Sequence, residues 1–572
     1  MIASKFEDQW SLIAFILFLL FMGLFYQSAW QYPVIDSFPL IERLLNPEFL
    51  TNDFYTNTFS QFSPRLVTAK IVICFSNLTG NSYTDIVAFG NIIRIWLYGI
   101  GLYFLFLTLS DKKTALIAFS FSALSFLSVP FLPAWWPVTF DFTSSNIALV
   151  TAMFSWVHAV KGHVRISFTL LTITACIHPV VGLHSMFIAI LIYSSIHGWK
   201  SLFGLLGRLS VYPFAIAFAA VMLFNYFSYE QVISKERFIE INAQYRHAHH
   251  FIFSHMDIEK WVSTLLMCSI CIGIVLWLKS RNLQDKLTVP VLIYSAVMTL
   301  LGLLFTDLYP TRFMVSFIPM RSFPILVPII ILAVARLAIY EWNKSNYVNF
   351  FLLFIPFLPY SHVGLTWYLL PNSHELVLPI ILTISVSLII VLNHFGWLKY
   401  PSFNTLIGSI FRGSNIGVFL LPIALASLTL AIIKFEINTP TLDTSSEVYS
   451  WINKNTHKDA VIISELDAAD NQKLRLIARR AIVVSKDFPF NELFFEEWYQ
   501  RYHDIYIDRD SARGRIDSMD AESLNRLLDK YKVQILIRSQ ALQITKEFEL
   551  LATVSGEKKQ AYIYQNTSVP AL

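Results

Sequence analysis

Apolar residues run through the chain from Trp10 to about Lys434 in stretches long enough to cross a bilayer. From Glu436 to Leu572 they recur instead at the short spacings of a soluble domain. Spanning helices are expected at 10–29, 84–108, 114–132, 209–228, 261–278, 287–305, 313–339, 348–366, 376–394 and 415–434, with shorter candidates at 146–160, 166–178 and 184–197. The pattern gives about thirteen crossings, or about eleven if the middle pair forms a re-entrant hairpin. That alternative is motivated by Cys176-Ile-His-Pro-Val-Val-Gly-Leu-His184, where Pro179 removes a backbone donor and Gly182 loosens the helix. The stretch from Ile41 to Lys70 is partly amphipathic, with a helix expected after Pro64, and suits a segment lying in the membrane interface.

The tail alternates between the two periods. Helices are expected at 446–453, 474–480 and 521–531, and strands at 460–464, 481–485 and 533–537. A terminal strand pair follows at 548–554 and 561–564, with its turn near Gly556. The expected fold is therefore a polytopic helical membrane bundle over 1–435, with outer loops 30–65 and 229–260, followed by a soluble α/β domain over 436–572.

Composition sharpens this division. Hydrophobic residues make up 55% of the chain and charged residues 14%, against about a quarter charged in a typical soluble domain. The net charge of +4 comes without a dense basic tract, so nucleic-acid binding is excluded as a function class. With the N-terminus inside, the inner connections hold Lys112, Lys113, Lys161, Arg165, Lys200, Arg208, Lys279, Arg281, Lys286, Lys344, Lys399 and Arg412. The outer connections 133–145 and 367–375 hold no Lys or Arg. This orientation puts loops 30–65 and 229–260 and the whole tail on the outer side. Cys74, Cys176, Cys268 and Cys271 all fall in apolar segments, so no disulfide framework is expected in the tail.

Candidate chemistry gathers on that outer side. Asp36, between Pro33 and Pro39, and Asp53, in Leu50-Thr-Asn-Asp-Phe54, are carboxylates able to take a proton from a hydroxyl or to seat a metal beside a phosphate. His247, His249 and His250 stand in one short run and suit phosphate or sugar contacts better than a closed metal site. Arg312 and Asp307 mark an outer boundary, and Arg321 lies about nine residues into the next run, where an arginine needs an anionic or polar partner. His178, at the helix break, is a further candidate for the same outer cavity. The tail itself contains no glycine-rich phosphate loop, GxSxG or HExxH.

The aspartate-bearing loop after the first span, the later loop with His247, His249 and His250, and the soluble tail together resemble the GT-C superfamily of polytopic glycosyltransferases. Members of that superfamily use polyprenyl-phosphate-linked sugars. The resemblance implies a catalytic acid in the first outer loop, matched by Asp36 with Asp53 as alternative or second acid. Arg312 or Arg321 would hold the lipid phosphate. It further implies a lipid-linked sugar donor, a glycan, lipid or protein acceptor, and a bacterial inner membrane with the tail on the periplasmic face. A divalent cation, Mg2+ or Mn2+, is compatible with the acids but not required. A transporter or flippase for a lipid-linked saccharide, and a polysaccharide polymerase or ligase, are the competing expectations.

Overall fold

The computed structural model describes residues 2–25, 33–60, 65–125, 142–206, 208–227, 231–246, 252, 258–319, 325–353, 416–437, 447–465, 474–485, 487–506, 516, 519–542, 548–555 and 560–568. The chain divides into two compact units, one formed by Met1–Gln27, Phe89–Leu223 and His247–Asn438, the other by Ser28–Ala88, Phe224–Arg246 and Thr439–Leu572.

The first unit is helical, as a lipid environment requires of backbone groups that have no water to bond. Its helices follow the apolar runs closely: Ile2–Phe25, Tyr83–Leu109, Ser144–Val160, Val164–Ile177, Pro179–His197, Ile258–Ser280, Thr288–Gly302 and Ile416–Ile437. Among the described residues, four helices are long and apolar enough to cross a membrane: Tyr83–Leu109, Pro179–His197, Thr288–Leu308 and Leu326–Asn343. The chain is an integral membrane protein. The expected span at 376–394 and most of that at 348–366 lie outside the described residues.

Two breaks have legible causes. The run expected at 313–339 is not one helix. Arg312–Phe317 ends with Ile318 in the left-handed conformation, φ 52°, and Leu326–Asn343 starts afresh. Pro319 follows immediately, and the residue before a proline is turned away from the helical region. The break at 176–184 falls at His178, which ends Val164–Ile177 and caps Pro179–His197, its Nδ1 accepting from the Val181 N–H at 3.3 Å. Pro179 takes the first helical position, where its missing donor costs nothing.

Small and hydroxyl residues bring these middle helices together, as is usual where lipid supplies no hydrophobic drive for association. Thr151 and Thr174 hydroxyls meet at 2.8 Å, and those of Ser155 and Ser167 at 2.9 Å. A Cβ at Gly182 would stand 2.6 Å from Ala175 Cα and 2.9 Å from its nitrogen, backbone atoms that cannot swing aside. Gly182→Ala is therefore expected to cost about 1–3 kcal/mol, read as a lowered melting temperature in detergent. An unchanged melting temperature would mean that the two helices separate freely. At another set of helix ends, Arg336 bonds the Asp285 carboxylate and donates to the Leu109 carbonyl at 2.8 Å, while Asp285 caps Thr288. This clasp lies beside Lys112, Lys113, Arg281 and Lys286, the basic connections read as internal.

The second unit is built on a five-stranded sheet. Its strands are β1 (Val461–Ser464), β2 (Ala481–Ile482), β3 (Ile535–Arg538), β4 (Phe548–Ser555) and β5 (Gln560–Asn566), in the order β2-β1-β3-β5-β4. β1 pairs in parallel with β2 and β3, while β5 runs antiparallel between β3 and β4. The helices Glu447–Asn455, Phe495–Ile505 and Ala521–Lys530 complete the tail as a small α/β layer. The expected helix at 474–480 is a single π-helical turn, Leu474–Ala478. Phe495–Ile505 has no counterpart in the sequence reading. Its buried positions Phe495, Trp498, Tyr502 and Ile505 recur at helical spacing, but three of them are aromatic, a type equally at home in strands. The segments 28–88 and 224–246 belong to this same unit.

Candidate functional site

The first loop supplies the helix Pro33–Leu45, with Asp36 in its first turn. Two turns later this helix is fastened to the tail. Glu42 is buried and receives Arg479 Nη2 at 3.0 Å on one carboxylate oxygen and the Tyr83 hydroxyl at 2.9 Å on the other. Arg43 closes the following turn, donating to the Pro47 carbonyl at 2.7 Å and to Asn57 Oδ1 at 2.6 Å.

Asp53 is the centre of the attachment. It caps the short helix Phe54–Asn57, accepting from the Thr56 N–H and hydroxyl, both at 2.7 Å. The same oxygen accepts from Arg475 Nε at 2.9 Å, and the other from the Ile482 N–H of β2 at 3.1 Å. Four donors thus converge on this buried carboxylate, three of them on a single oxygen. Arg475 also bonds Asp487 at 2.5 Å, and Asp487 accepts from the Ser485 hydroxyl at 2.9 Å. The side chains of Asp53 and Asp487 are 0% exposed and that of Arg475 1%. Burial works against the charge on Arg475, but the adjacent Asp53 and Asp487 outweigh it and hold its pKa above the ordinary arginine value.

The second loop is tied to the Phe495–Ile505 helix and the turn before it. Glu492 accepts the N–H groups of Val232 and Ile233, both at 2.9 Å. Arg237 meets Glu496 through two parallel bonds of 2.7 Å, a bidentate pair. These bonds from Arg237 hold the Glu496 carboxyl below the usual glutamate range. Beyond it, the π-helical turn Glu240–Arg246 packs Tyr245 edge-on against Trp498, Tyr499 and Tyr502, and stacks Arg246 on Phe488 at 3.9 Å. The described backbone thus runs, anchored, to the residue before His247.

Of the other sequence candidates, His247, His249, His250 and Arg321 lie outside the described residues. His178 is the helix cap described above. Its neighbour His184 is buried, with Nε2 at 2.8 Å from the Phe317 carbonyl and its ring stacked on Phe317 at 4.2 Å. Arg312 opens the helix Arg312–Phe317 behind the cap Thr311, and Asp307 sits in the π-helical turn Leu303–Leu308. Both are half-buried. Among the described residues, no three His, Cys, Asp or Glu side chains gather as metal ligands.

Sequence reasoning did not find Arg475, Arg479, Glu492 or Glu496. Arg475, set between Leu474 and Leu476, is the one with a local signal: a charge inside an apolar turn implies a buried partner. Its partner lies 422 residues away.

A family model described as a domain of unknown function, DUF6798, matches residues 443–505. No curated protein matches the chain. Among solved structures, the chain is similar to the archaeal oligosaccharyltransferase AglB from Archaeoglobus fulgidus in complex with an inhibitory peptide and a dolichol-phosphate. The TM-score is 0.47 at 11% identity, covering 94% of this chain and 69% of that one. The apo form of the Archaeoglobus fulgidus oligosaccharyltransferase gives 0.46 at 12% identity over 93% and 69%, and its complex with zinc and sulfate gives 0.41 at 10% over 92% and 67%.

Proposed function

We propose that this protein transfers a sugar from a polyprenyl-phosphate-linked donor to an acceptor hydroxyl or amide at the outer face of its membrane. The observation that carries this reading is the composition of the second unit. The loop with Asp36, the segment leading into His247, His249 and His250, and the tail are separated by whole membrane-spanning stretches, yet they fold as one body. Segments that pack together share one side of a membrane, and the basic connections read as internal support the outer face as that side.

In the proposed reaction the acceptor attacks the anomeric carbon, and its proton passes to Asp36. The anomeric C–O bond breaks, and the electron pair leaves with the polyprenyl phosphate. A phosphate is already a competent leaving group and needs charge stabilisation more than a proton. Arg312 or Arg321 supplies that charge, His247, His249 and His250 donate hydrogen bonds to phosphate or sugar, and a divalent cation would serve the same end as an arginine. Asp53, buried and held by the Arg475 cation and three further donors, positions the loop and leaves the base role to Asp36.

A map of the full chain in lipid nanodiscs loaded with a polyprenyl phosphate tests the arrangement. Phosphate density within reach of Arg312 or Arg321, and open toward Asp36, is the expected result. Lipid density confined to the outer perimeter, with the arginines lining a passage between leaflets, would favour a flippase instead.

A further inference from the structure

The helix Arg312–Phe317 stops at Ile318, φ 52°, with Pro319 behind it. A β-branched residue in the left-handed region is costly and persists only where its surroundings hold it there. The stop also denies the Phe317 carbonyl the N–H that a continuing helix would supply. Among apolar neighbours that oxygen needs another donor.

His184 supplies one. Its Nε2 stands 2.8 Å from the Phe317 oxygen, and because a carbonyl only accepts, Nε2 carries the proton. The histidine is 2% exposed, and its ring stacks on Phe317 at 4.2 Å. Phe187, three residues along the same helix face, meets Phe317 edge-on at 6.1 Å. Phe317 in turn stacks on Phe313 at 5.8 Å, the rings 7° from parallel, and Phe313 directly follows Arg312. The holding side is stiff: His178 caps the helix Pro179–His197, and its Gly182 rests on the backbone of Ala175 in the neighbouring helix.

We propose that His184 is a positioning residue. By donating to the Phe317 carbonyl it latches the short helix that begins with Arg312, and so fixes where Arg312 meets a lipid phosphate, a role that rests on Arg312 being a phosphate ligand as proposed above. A neutral ring N–H restrains the backbone without bringing a second charge into apolar surroundings, where charge is costly.

The test compares the unaltered full chain in nanodiscs with His184→Leu, His184→Gln and Arg312→Gln. Two quantities are followed: amide hydrogen exchange over 312–318, which reads the latch without any ligand, and affinity for a polyprenyl phosphate. His184→Leu is expected to speed exchange at the Val315 and Ile318 amides, which bond the Thr311 and Met314 carbonyls. It should also weaken lipid binding, each effect about tenfold, as follows from leaving one buried carbonyl unsatisfied. His184→Gln, which keeps an N–H near the Nε2 position, should restore both. Unchanged exchange in the leucine variant would overturn the latch. Faster exchange with affinity intact, while Arg312→Gln loses affinity, would overturn the positioning role. Affinity that Arg312→Gln itself leaves intact would instead remove Arg312 from the phosphate, a failure of the functional reading that the exchange rates keep separate from the latch. If the leucine variant does not insert, nitrogen-15 spectra of the histidine-labelled chain decide, with the His184 signal assigned by its loss in His184→Gln. A protonated Nε2 is the expected state, and a bare Nε2 would overturn the bond.

Discussion

Replacing Arg475 by methionine is expected to destabilise the unit of segments 28–88, 224–246 and 439–572 by about 3–5 kcal/mol. The substitution removes the cation shared by two carboxylates that are 0% exposed. Its effect would spread beyond the tail, because Asp53 also holds the Thr56 N–H and the Ile482 N–H. Limited proteolysis of the full chain in detergent would read it as early cutting in both the 46–60 loop and the tail. A triple variant, Arg475→Met with Asp53→Asn and Asp487→Asn, should recover part of the loss, since buried charges removed together leave no unpaired ion. Equal protease resistance for Arg475→Met and the unaltered chain would show that the triad is not what joins the loop to the sheet.

The second large effect concerns chemistry with the fold intact. Asp36→Asn keeps the size and helical position of the side chain but cannot accept a proton, and a lost general base is worth about 10²–10⁴ in rate. The loss should fall on kcat with little change in KM for donor, because the acid acts on the acceptor and not on the lipid phosphate. Melting temperature and yield should match the unaltered chain, since Glu42 and Arg43 fasten the helix. Unchanged turnover would remove Asp36 from the mechanism. A fall in KM affinity alone would recast it as a binding residue.

Much of the first unit was legible because lipid imposes one rule on every segment. An apolar run of sufficient length must be a helix, so runs expected at 84–108 and 415–434 appear as Tyr83–Leu109 and Ile416–Ile437. The rule fails where backbone chemistry intervenes within an apolar run, as at Ile318 and Pro319. The tail's strands were legible for a similar reason, since Ile535–Arg538 and Val461–Ser464 are short apolar runs bounded by polar residues. What hydropathy cannot report is the partner of a segment. It marks 30–65 and 229–260 as polar loops, but the ions that draw them onto the tail, Asp53 with Arg475 and Arg237 with Glu496, do not name one another locally, although Arg475 itself carries a sign of burial. The same blindness applies to Asp53 as a candidate acid. Its sequence context is a loop carboxylate, and only the four donors around it distinguish a fixed structural anion from a free base.

The most direct test of the central claim follows both products of the proposed bond exchange. Purified full chain in nanodiscs is given polyprenyl-phosphate-linked sugars and a panel of glycan, lipid and peptide acceptors, with mass spectrometry of both the lipid and the acceptor. The account predicts equimolar release of free polyprenyl phosphate and glycosylated acceptor with the unaltered chain, and neither with Asp36→Asn. Donor that moves between leaflets with its sugar still attached, at the same rate in both proteins, would contradict it.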